Sequence, residues 1–123
     1  MFFLSISAYQ CGTNVFGDSG TVTSPNYPNN YPDAATCYYF IRVPNAQRII
    51  FNITDFQTEA GKDIFDYGQG SIANIANAIF SLSGTSNPLP YEYVIQSDQS
   101  WIVFQSDRNT GMKGWSLVYR AGK

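Results

Sequence analysis

The sequence contains no histidine among its 123 residues. Histidine supplies the general base of the common Ser–His and Cys–His nucleophile arrangements, so its absence excludes both forms of catalysis. Glu59 and Asp66 form a carboxylate pair of the kind that glycosidases use, but no other feature of the chain supports that chemistry. We therefore expect a protein that is not an enzyme.

Charged residues are scarce, at 13% of the chain, and the formal net charge is −2. Nucleic-acid binding depends on a basic surface that contacts phosphates, so we expect no nucleic-acid partner. No apolar run approaches the roughly 18 residues of a membrane span. The chain is instead 44% hydrophobic and 16% aromatic, which at this length predicts one domain with a core of packed rings.

Cysteine is limited to Cys11 and Cys37. Two cysteines without a histidine do not resemble a zinc site, so a disulfide is the favoured use and two free buried thiols are the alternative. Such a bridge would contribute about 3–4 kcal/mol in the chain-entropy description. It would also indicate a location outside the reducing cytosol.

The chain begins "MFFLSISAYQ", an apolar stretch without the basic lead of a secretion signal and shorter than one. We interpret residues 1–10 as a leader or the remnant of a signal peptide. The folded domain is then predicted to cover residues 11–121.

Apolar residues after Gly20 alternate with a period of two, which is typical of half-buried strands. Strands of this kind, separated by Gly, Pro and Asn clusters, predict an all-β sandwich. The alternation groups Cys37, Tyr39, Ile41 and Val43 on one face, Ile49, Phe51 and Ile53 on one face with Ile50 and Phe56 opposite, Trp101 and Val103 against Ile102 and Phe104, and Trp115, Leu117 and Tyr119 on one face.

One segment, "SIANIANAIF", departs from this alternation. Its apolar residues recur at i, i+3, i+4 and i+7 from Ile72, and Ser71 precedes them as a candidate N-cap. This pattern predicts a short helical turn near residues 71–76, followed by a strand from about Ala78.

The stretch "PNYPNNYP", residues 25–32, holds three prolines and is called the proline segment below. Proline donates no hydrogen bond to a sheet, so the segment is predicted to be an extended connection between strands. Tyr27 and Tyr31 either pack against the sandwich or donate hydrogen bonds to a nearby carboxylate, and the sequence leaves both roles open.

The order of motifs along the chain is more specific than any one of them. "CG", "GTVTSPNYPNNYP", Cys37, "ITDFQTE", "FDYG", "IVFQSD" and "GMKGWSLVY" follow one another from Cys11 to Tyr119. This series resembles a CUB domain. The resemblance implies an extracellular sandwich of two antiparallel sheets with jelly-roll topology, acting as a binding module in secreted and cell-surface proteins.

The chain departs from the family in lacking a second disulfide. Its cysteines would fall near Asp63 and Ser83, and both are absent. We therefore predict that the region of residues 63–84 is the softer part of the domain.

The resemblance also implies a calcium site, because many CUB domains bind one Ca²⁺ at an end of the sandwich through acidic loop residues. Carried over by position, the metal ligands are Glu59, Asp66 and Asp107, with a further oxygen from Asn109. Asp63, at a missing-cysteine position, is interpreted as a bystander. Converging carboxylates repel one another, and a divalent cation relieves that repulsion.

The spacing of these acids, taken alone, favours ordinary solvated loop residues that have Lys62 and Arg108 as loose partners. The family resemblance favours calcium. It also implies that a basic side chain of an extracellular protein partner, often Lys, docks on the carboxylates that hold the ion. Tyr27 and Tyr67 are candidates for orienting a ligand carboxylate.

Two other functions are compatible with the sequence. One is a carbohydrate-binding or gamete-type adhesion domain that uses Tyr and Trp faces. The other is a structural spacer without calcium, excised from a larger secreted protein with neighbouring domains.

Asn52-Ile53-Thr54 is an N-glycosylation sequon. The strand alternation places Asn52 and Thr54 on the face opposite Ile53. The sequence therefore predicts that Asn52 faces outward and is available to a glycan.

Overall fold

A computed structural model describes residues 9–85, 91–108 and 111–122. These residues form two packed β-sheets with one turn of 3₁₀-helix, which confirms the predicted all-β, jelly-roll-like sandwich. No helix within the described ranges has the length and apolar character needed to cross a membrane. The strands are β1 (Tyr9–Cys11), β2 (Asn14–Phe16), β3 (Ser19–Thr23), β4 (Ala35–Arg42), β5 (Arg48–Gln57), β6 (Ile64–Gln69), β7 (Phe80–Leu82), β8 (Tyr91–Ile95), β9 (Gln99–Gln105) and β10 (Gly114–Gly122), with the 3₁₀-helix at Ile75–Asn77.

The first sheet has six strands in the order β1-β4-β9-β6-β7, and β2 also pairs with β4. The second has four strands in the order β3-β10-β5-β8. Strands β1 and β2 run parallel to β4, whereas the pairs β4–β9, β6–β9, β5–β10 and β5–β8 are antiparallel. From β2 to β6 and from β7 to β10 consecutive strands alternate between the sheets, so the loops that join them cross from one sheet to the other at the ends of the sandwich.

The core lies between the sheets and is rich in rings. Trp115 sits at its centre, in edge contact with Tyr39, Phe65 and Phe104. Edge-to-face pairs of this kind add to the free energy gained from burial. Among the predicted inward faces, the core includes Cys37, Tyr39, Ile41, Val43, Ile49, Phe51, Ile53, Ile102, Phe104, Trp115, Leu117 and Tyr119.

The prediction for Phe56 was wrong. It was expected on the face opposite Phe51, but it is buried in the core against Phe65. The register between β5 and β10 shifts at this point, since Ser116 pairs with Asp55 and Leu117 with Ile53. One extra residue in β5 reverses the alternation, and a period-two pattern cannot reveal such a β-bulge.

The helical turn lies later than predicted. It spans Ile75–Asn77, and its N-cap is Asn74, whose side chain accepts a hydrogen bond from the Ala76 amide, so the prediction of Ser71 was wrong. The isoleucines at helical spacing do not pack against the core: Ile72 is 79% exposed and Ile75 is 51% exposed. An apolar stripe extends a helix only where it packs against something.

Cys11 and Cys37 form a disulfide between the paired strands β1 and β4. Strand β1 begins at Tyr9, two residues before the predicted domain boundary. Residues 1–8 of the predicted leader lie outside the described residues.

Candidate metal and docking site

Three acidic side chains meet at one end of the sandwich. Glu59 lies two residues after β5 ends, Asp63 lies just before β6 begins, and Asp107 lies two residues after β9 ends. One carboxylate oxygen from each of the three lies within 4.8 Å of the others. We call these residues the acidic cluster.

Hydrogen bonds fix Asp63 at the centre of the cluster. Asp63 is fully buried, and its Oδ1 accepts a hydrogen bond of 2.8 Å from the backbone amide of Asp107. Its Oδ2 accepts a hydrogen bond from the Tyr31 hydroxyl, which in turn accepts one of 3.2 Å from the Glu59 amide. Tyr31 and Asp63 therefore join three loops that are far apart in sequence.

The proline segment is held against the same end by backbone hydrogen bonds. The Tyr31 amide donates to the Met112 carbonyl at 3.0 Å, and the Ala34 amide donates to the Asp107 carbonyl at 2.7 Å. The ring of Tyr31 packs edge-on against Phe104 in the core. The phenol is thus positioned before any ligand arrives.

The carboxyl groups of the cluster repel one another. Removal from water raises the pKa of Glu59, and the nearby carboxylates of Asp107 and Asp63 raise it further, whereas Lys62 opposes them. Glu59 Oε1 is buried and has no hydrogen-bond partner within the described ranges. Lys62 lies near enough to act on the Glu59 carboxyl, which is the loose pairing considered from sequence for that residue.

The structure brings together two of the predicted ligands and a different third acid. Glu59 and Asp107 come together as expected, but the third acid is Asp63, which was interpreted as a bystander, and not Asp66. Asp66 is the third residue of β6, about 10 Å further along the strand, and it accepts a hydrogen bond from the Ser81 hydroxyl on β7. The sheet pairing holds Asp66 away from the cluster.

The two tyrosines predicted to orient a ligand do not join the cluster. Tyr67 is 2% exposed, and its ring packs between Phe51, Phe65 and Tyr93 in the core, where burial raises its pKa to about 12. Tyr27 donates a hydrogen bond of 2.5 Å to Asp55. Asn109, predicted as a further metal ligand, lies outside the described residues.

Asp55 forms a second acidic site, with a different environment. Its Oδ2 lies 2.6 Å from Lys113 Nζ, which also sits 5.8 Å from the centre of the Tyr27 ring. Burial alone would raise the pKa of Asp55, but the hydrogen bonds from Lys113 and Tyr27 outweigh it and lower that pKa below its usual value. Asp55 therefore stays ionised with an internal counter-ion.

Hydrogen bonds connect the segments where the family's second disulfide would be expected. The Thr58 hydroxyl donates to the Asp63 carbonyl at 3.0 Å and accepts from the Gly84 amide at 2.9 Å. The Gly61 amide donates to the Ser83 hydroxyl at 3.0 Å. The loop that carries Glu59 and Asp63 is thus tied to residues 83–84 without a covalent bridge.

Tryptophan offers no surface for stacking against a sugar, because Trp101 is 1% exposed and Trp115 is fully buried. Tyr38 is the aromatic side chain of β4 that faces solvent. The carbohydrate-binding alternative therefore loses the tryptophan faces on which it depended.

Three oxygen ligands within 4.8 Å fit a hard divalent cation. Ca²⁺ binds oxygens at about 2.3–2.6 Å, so any two oxygens on one ion lie at most about 5 Å apart. The orphaned Oε1 of Glu59 and the raised pKa of its carboxyl are what a site arranged for a cation would have without one. The acidic cluster is therefore chemically suited to Ca²⁺.

Comparison with known proteins gives a family match over nearly the whole chain. The CUB domain model matches residues 11–119. Fibropellin-3 of Strongylocentrotus purpuratus is 38% identical over 112 residues, a match that covers 89% of this chain and 20% of fibropellin-3. The chain thus spans about a fifth of that relative's length.

Two solved structures are similar in fold and sequence. The CUB1-EGF-CUB2 region of human MASP-1/3 is 28% identical with a TM-score of 0.75, and the match covers 92% of this chain and 43% of that one. The MASP-1 CUB2 domain, crystallised bound to Ca²⁺, is 30% identical with a TM-score of 0.67, and the match covers 88% of this chain and 97% of that domain.

Proposed function

Because the chain belongs to the CUB domain family, whose members are generally non-catalytic interaction modules, we propose that it is an extracellular module for Ca²⁺-dependent recognition of a protein partner. The observation that carries the proposal is the convergence of Glu59, Asp63 and Asp107, whose carboxylate oxygens lie within 4.8 Å of one another and whose mutual repulsion adds to removal from water in raising the pKa of Glu59. The similarity to a CUB domain crystallised with Ca²⁺ supports the choice of metal. The family's occurrence in extracellular proteins, together with the disulfide, supports the location.

In this proposal the cluster supplies three carboxylate ligands, and Ca²⁺ would neutralise their mutual repulsion. The ion would tie the loop of Glu59 and Asp63 to the loop of Asp107. Tyr31 and the Asp107 amide keep the Asp63 carboxylate oriented, so little side-chain freedom is left to lose on binding. Extracellular modules hold Ca²⁺ at about 10⁻⁴–10⁻³ M, so such a site would fill outside cells and stay empty inside them.

The docking step needs a partner with an exposed Lys or Arg. Three carboxylates leave a net negative charge of one around a divalent ion, which attracts an ammonium or guanidinium group. A charge-assisted hydrogen bond from that group to a metal-bound carboxylate is roughly twice as strong as a neutral one. Calcium thereby makes the acceptor oxygens rigid enough to bind a single side chain.

Calcium binding is tested by isothermal titration of the whole chain with Ca²⁺. Asp63→Asn should lose binding by at least tenfold in Kd, because it removes a ligand charge while keeping the shape. Asp66→Asn is the matched control, since Asp66 is also a buried aspartate, in the adjoining strand, and it should bind as the wild type does. No heat with the wild-type chain would leave only the spacer function.

Docking is tested with a lysine-containing peptide and the same peptide carrying glutamine in place of lysine. Fluorescence anisotropy should report binding of the lysine peptide in Ca²⁺ and its loss in chelator, and no binding of the glutamine peptide. Equal binding of both peptides, or binding that survives chelation, would contradict the proposed mechanism while leaving the metal site intact.

A further inference from the structure

The outer face of the four-stranded sheet carries the N-glycosylation sequon, which has no part in the acidic cluster. Asn52 of the sequon Asn52-Ile53-Thr54 lies in β5, which is an inner strand of that sheet. Ile53 is buried in the core, whereas Asn52 is half-buried and Thr54 is exposed, so the acceptor amide is on the outward side. The sequon is the only Asn-x-Ser/Thr in the sequence.

Asparagine has no structural role here that its contacts explain. Its Oδ1 is buried and has no hydrogen-bond partner within the described ranges. Asparagine is also disfavoured inside strands. An inner-strand position that would suit Val or Thr thus holds an amide whose oxygen has no hydrogen-bond partner among the described residues.

The face around Asn52 combines apolar and charged side chains, and Glu92 of β8 lies directly across from it. Val118 lies directly across from Asn52 on β10 and is 39% exposed, and Val94 on β8, 45% exposed, lies across from Ile50. The exposed ion pair of Arg120 and Glu92, at 3.1 Å, spans the same face. This combination of methyl groups and charged donors and acceptors suits a sugar ring, which has apolar faces and a rim of hydroxyls.

We propose that Asn52 is an N-glycosylation site and that its glycan covers the centre of this face, which makes it a shielded surface and not a docking surface. The donor is a polyprenyl-diphosphate-linked oligosaccharide. The Asn52 Nδ2 atom forms a bond to C1 of the first N-acetylglucosamine and loses a proton, while the C1–O bond to the diphosphate breaks and the lipid diphosphate leaves.

The glycan would leave the acidic cluster accessible. From Asn52 to Gln57, where β5 ends, the chain advances five residues, roughly 17 Å in an extended strand, and Glu59 lies beyond it. The inference is therefore independent of whether the cluster binds Ca²⁺.

The test is the intact mass of the whole chain secreted from cultured animal cells behind a cleavable signal. Most wild-type molecules should carry one oligosaccharide that peptide-N-glycosidase removes, converting Asn52 to aspartate. Thr54→Ala should abolish this added mass, whereas Thr54→Ser, which preserves the sequon, should retain it. A wild-type chain secreted mostly without a glycosidase-sensitive mass would overturn the proposal.

Shielding is tested on the same wild-type material before and after trimming to the single first sugar. Fully deglycosylated protein should bind more of an apolar fluorescent dye than the untrimmed protein, and the trimmed protein should bind an intermediate amount. Val118→Thr in the deglycosylated protein should reverse at least half of that increase. Equal dye binding by glycosylated and deglycosylated protein would show that the glycan does not cover these valines.

Discussion

Asp55 and Asp63 each accept a hydrogen bond from a tyrosine of the proline segment, and Asp55 is the one of the two that forms an ion pair among the residues that the structure describes. Tyr27 and Lys113 both contact the Asp55 carboxylate. Asp63 has Tyr31 and a backbone amide as donors, and its charged neighbours in the cluster are other carboxylates. Tyr27 and Tyr31, four residues apart, therefore contact two acids with different surroundings, one paired with a lysine and one among other carboxylates.

This difference in surroundings suggests a structural role for Asp55 and a ligand-binding role for Asp63. An ion pair such as Asp55–Lys113 satisfies both charges within the chain and offers little to a ligand. Clustered carboxylates without a counter-ion make the metal-free fold less stable, and a cation from outside recovers that free energy. The acidic cluster is therefore the place where binding and stability are linked.

The largest contrast is expected in calcium-linked stability. Ca²⁺ at about 100 times its Kd should stabilise the fold by about 2.7 kcal/mol, which for a domain of this size is a rise in Tm of roughly 10 °C. Asp107→Ala should abolish this rise, because the cluster loses a ligand, and Asp55→Ala should keep it. The measurement is thermal unfolding with Ca²⁺ and with chelator.

This experiment tests the separation of the two sites directly. Asp55→Ala is expected to lower Tm equally in both buffers, so the difference between buffers stays constant. If Asp107→Ala still melts higher in Ca²⁺, Asp107 is not a ligand. If Asp55→Ala has the same Tm in Ca²⁺ and in chelator, Asp55 and Asp107 belong to one site.

The next contrast concerns the two tyrosines. Tyr31→Phe should destabilise the protein by about 1.5–3 kcal/mol, because it leaves a buried carboxylate without its side-chain donor. Tyr27→Phe should cost under about 1 kcal/mol, because Asp55 keeps Lys113 and water reaches the site. Urea unfolding of both variants in chelator measures the difference, and equal losses would mean that burial does not distinguish the sites.

The pH dependence of the two acids should have opposite sign. The pKa of Glu59 is raised in the fold, so the folded state binds its proton more readily, and its contribution to the free energy of unfolding falls as pH rises through that pKa. The pKa of Asp55 is lowered, so its stabilisation is present above the unfolded pKa and is lost as pH falls through the folded one.

The measurement compares wild type with Glu59→Gln and with Asp55→Asn in calcium-free buffer, from about pH 3 to 7, where carboxyls titrate. With rising pH, wild type should lose stability relative to Glu59→Gln and gain it relative to Asp55→Asn. If both differences in the free energy of unfolding changed in the same direction with pH, the two sites would not differ electrostatically.

The sequence predicted most of the strands and their inward faces, but not the register between strands. Period two identified the inward faces of β4, β5 and β10 because large apolar side chains alternate there without interruption. It failed at Phe56, because a single extra residue in β5 turns the side chains after it to the opposite face of the sheet. Nothing in the composition marks that residue. Periodicity reports the pattern within a strand and not the register with its partner.

Only two of the three residues of the acidic cluster were predicted, again because the sequence does not show the exact position of a strand. Glu59 and Asp107 follow strands whose ends were clear, but the choice between Asp63 and Asp66 depends on the residue at which β6 begins. Assigning Asp63 to a lost cysteine moved the expected ligand three residues into the sheet. The role of Tyr31 was left open because its partner is 32 residues away, a distance that only the folded topology closes.

The smallest effect is expected from the lysines. The Asp55–Lys113 pair is partly exposed, at 18% and 40%, so Lys113→Met should lower Tm by only a few degrees at low salt and by less at high salt, where exposed pairs are screened. The Kd for Ca²⁺ should change less than twofold. Lys62→Met is the matched control at the other site.

Lys62 lowers the pKa of Glu59 and so opposes the charge of the cluster, which means that its removal should tighten Ca²⁺ binding by a few-fold. Titration calorimetry of both variants at one ionic strength makes the comparison. A larger change in Kd for Lys113→Met than for Lys62→Met would mean that Lys113 belongs to the metal site's electrostatics. The division between a neutralised acid and an acid kept for a ligand would then fail.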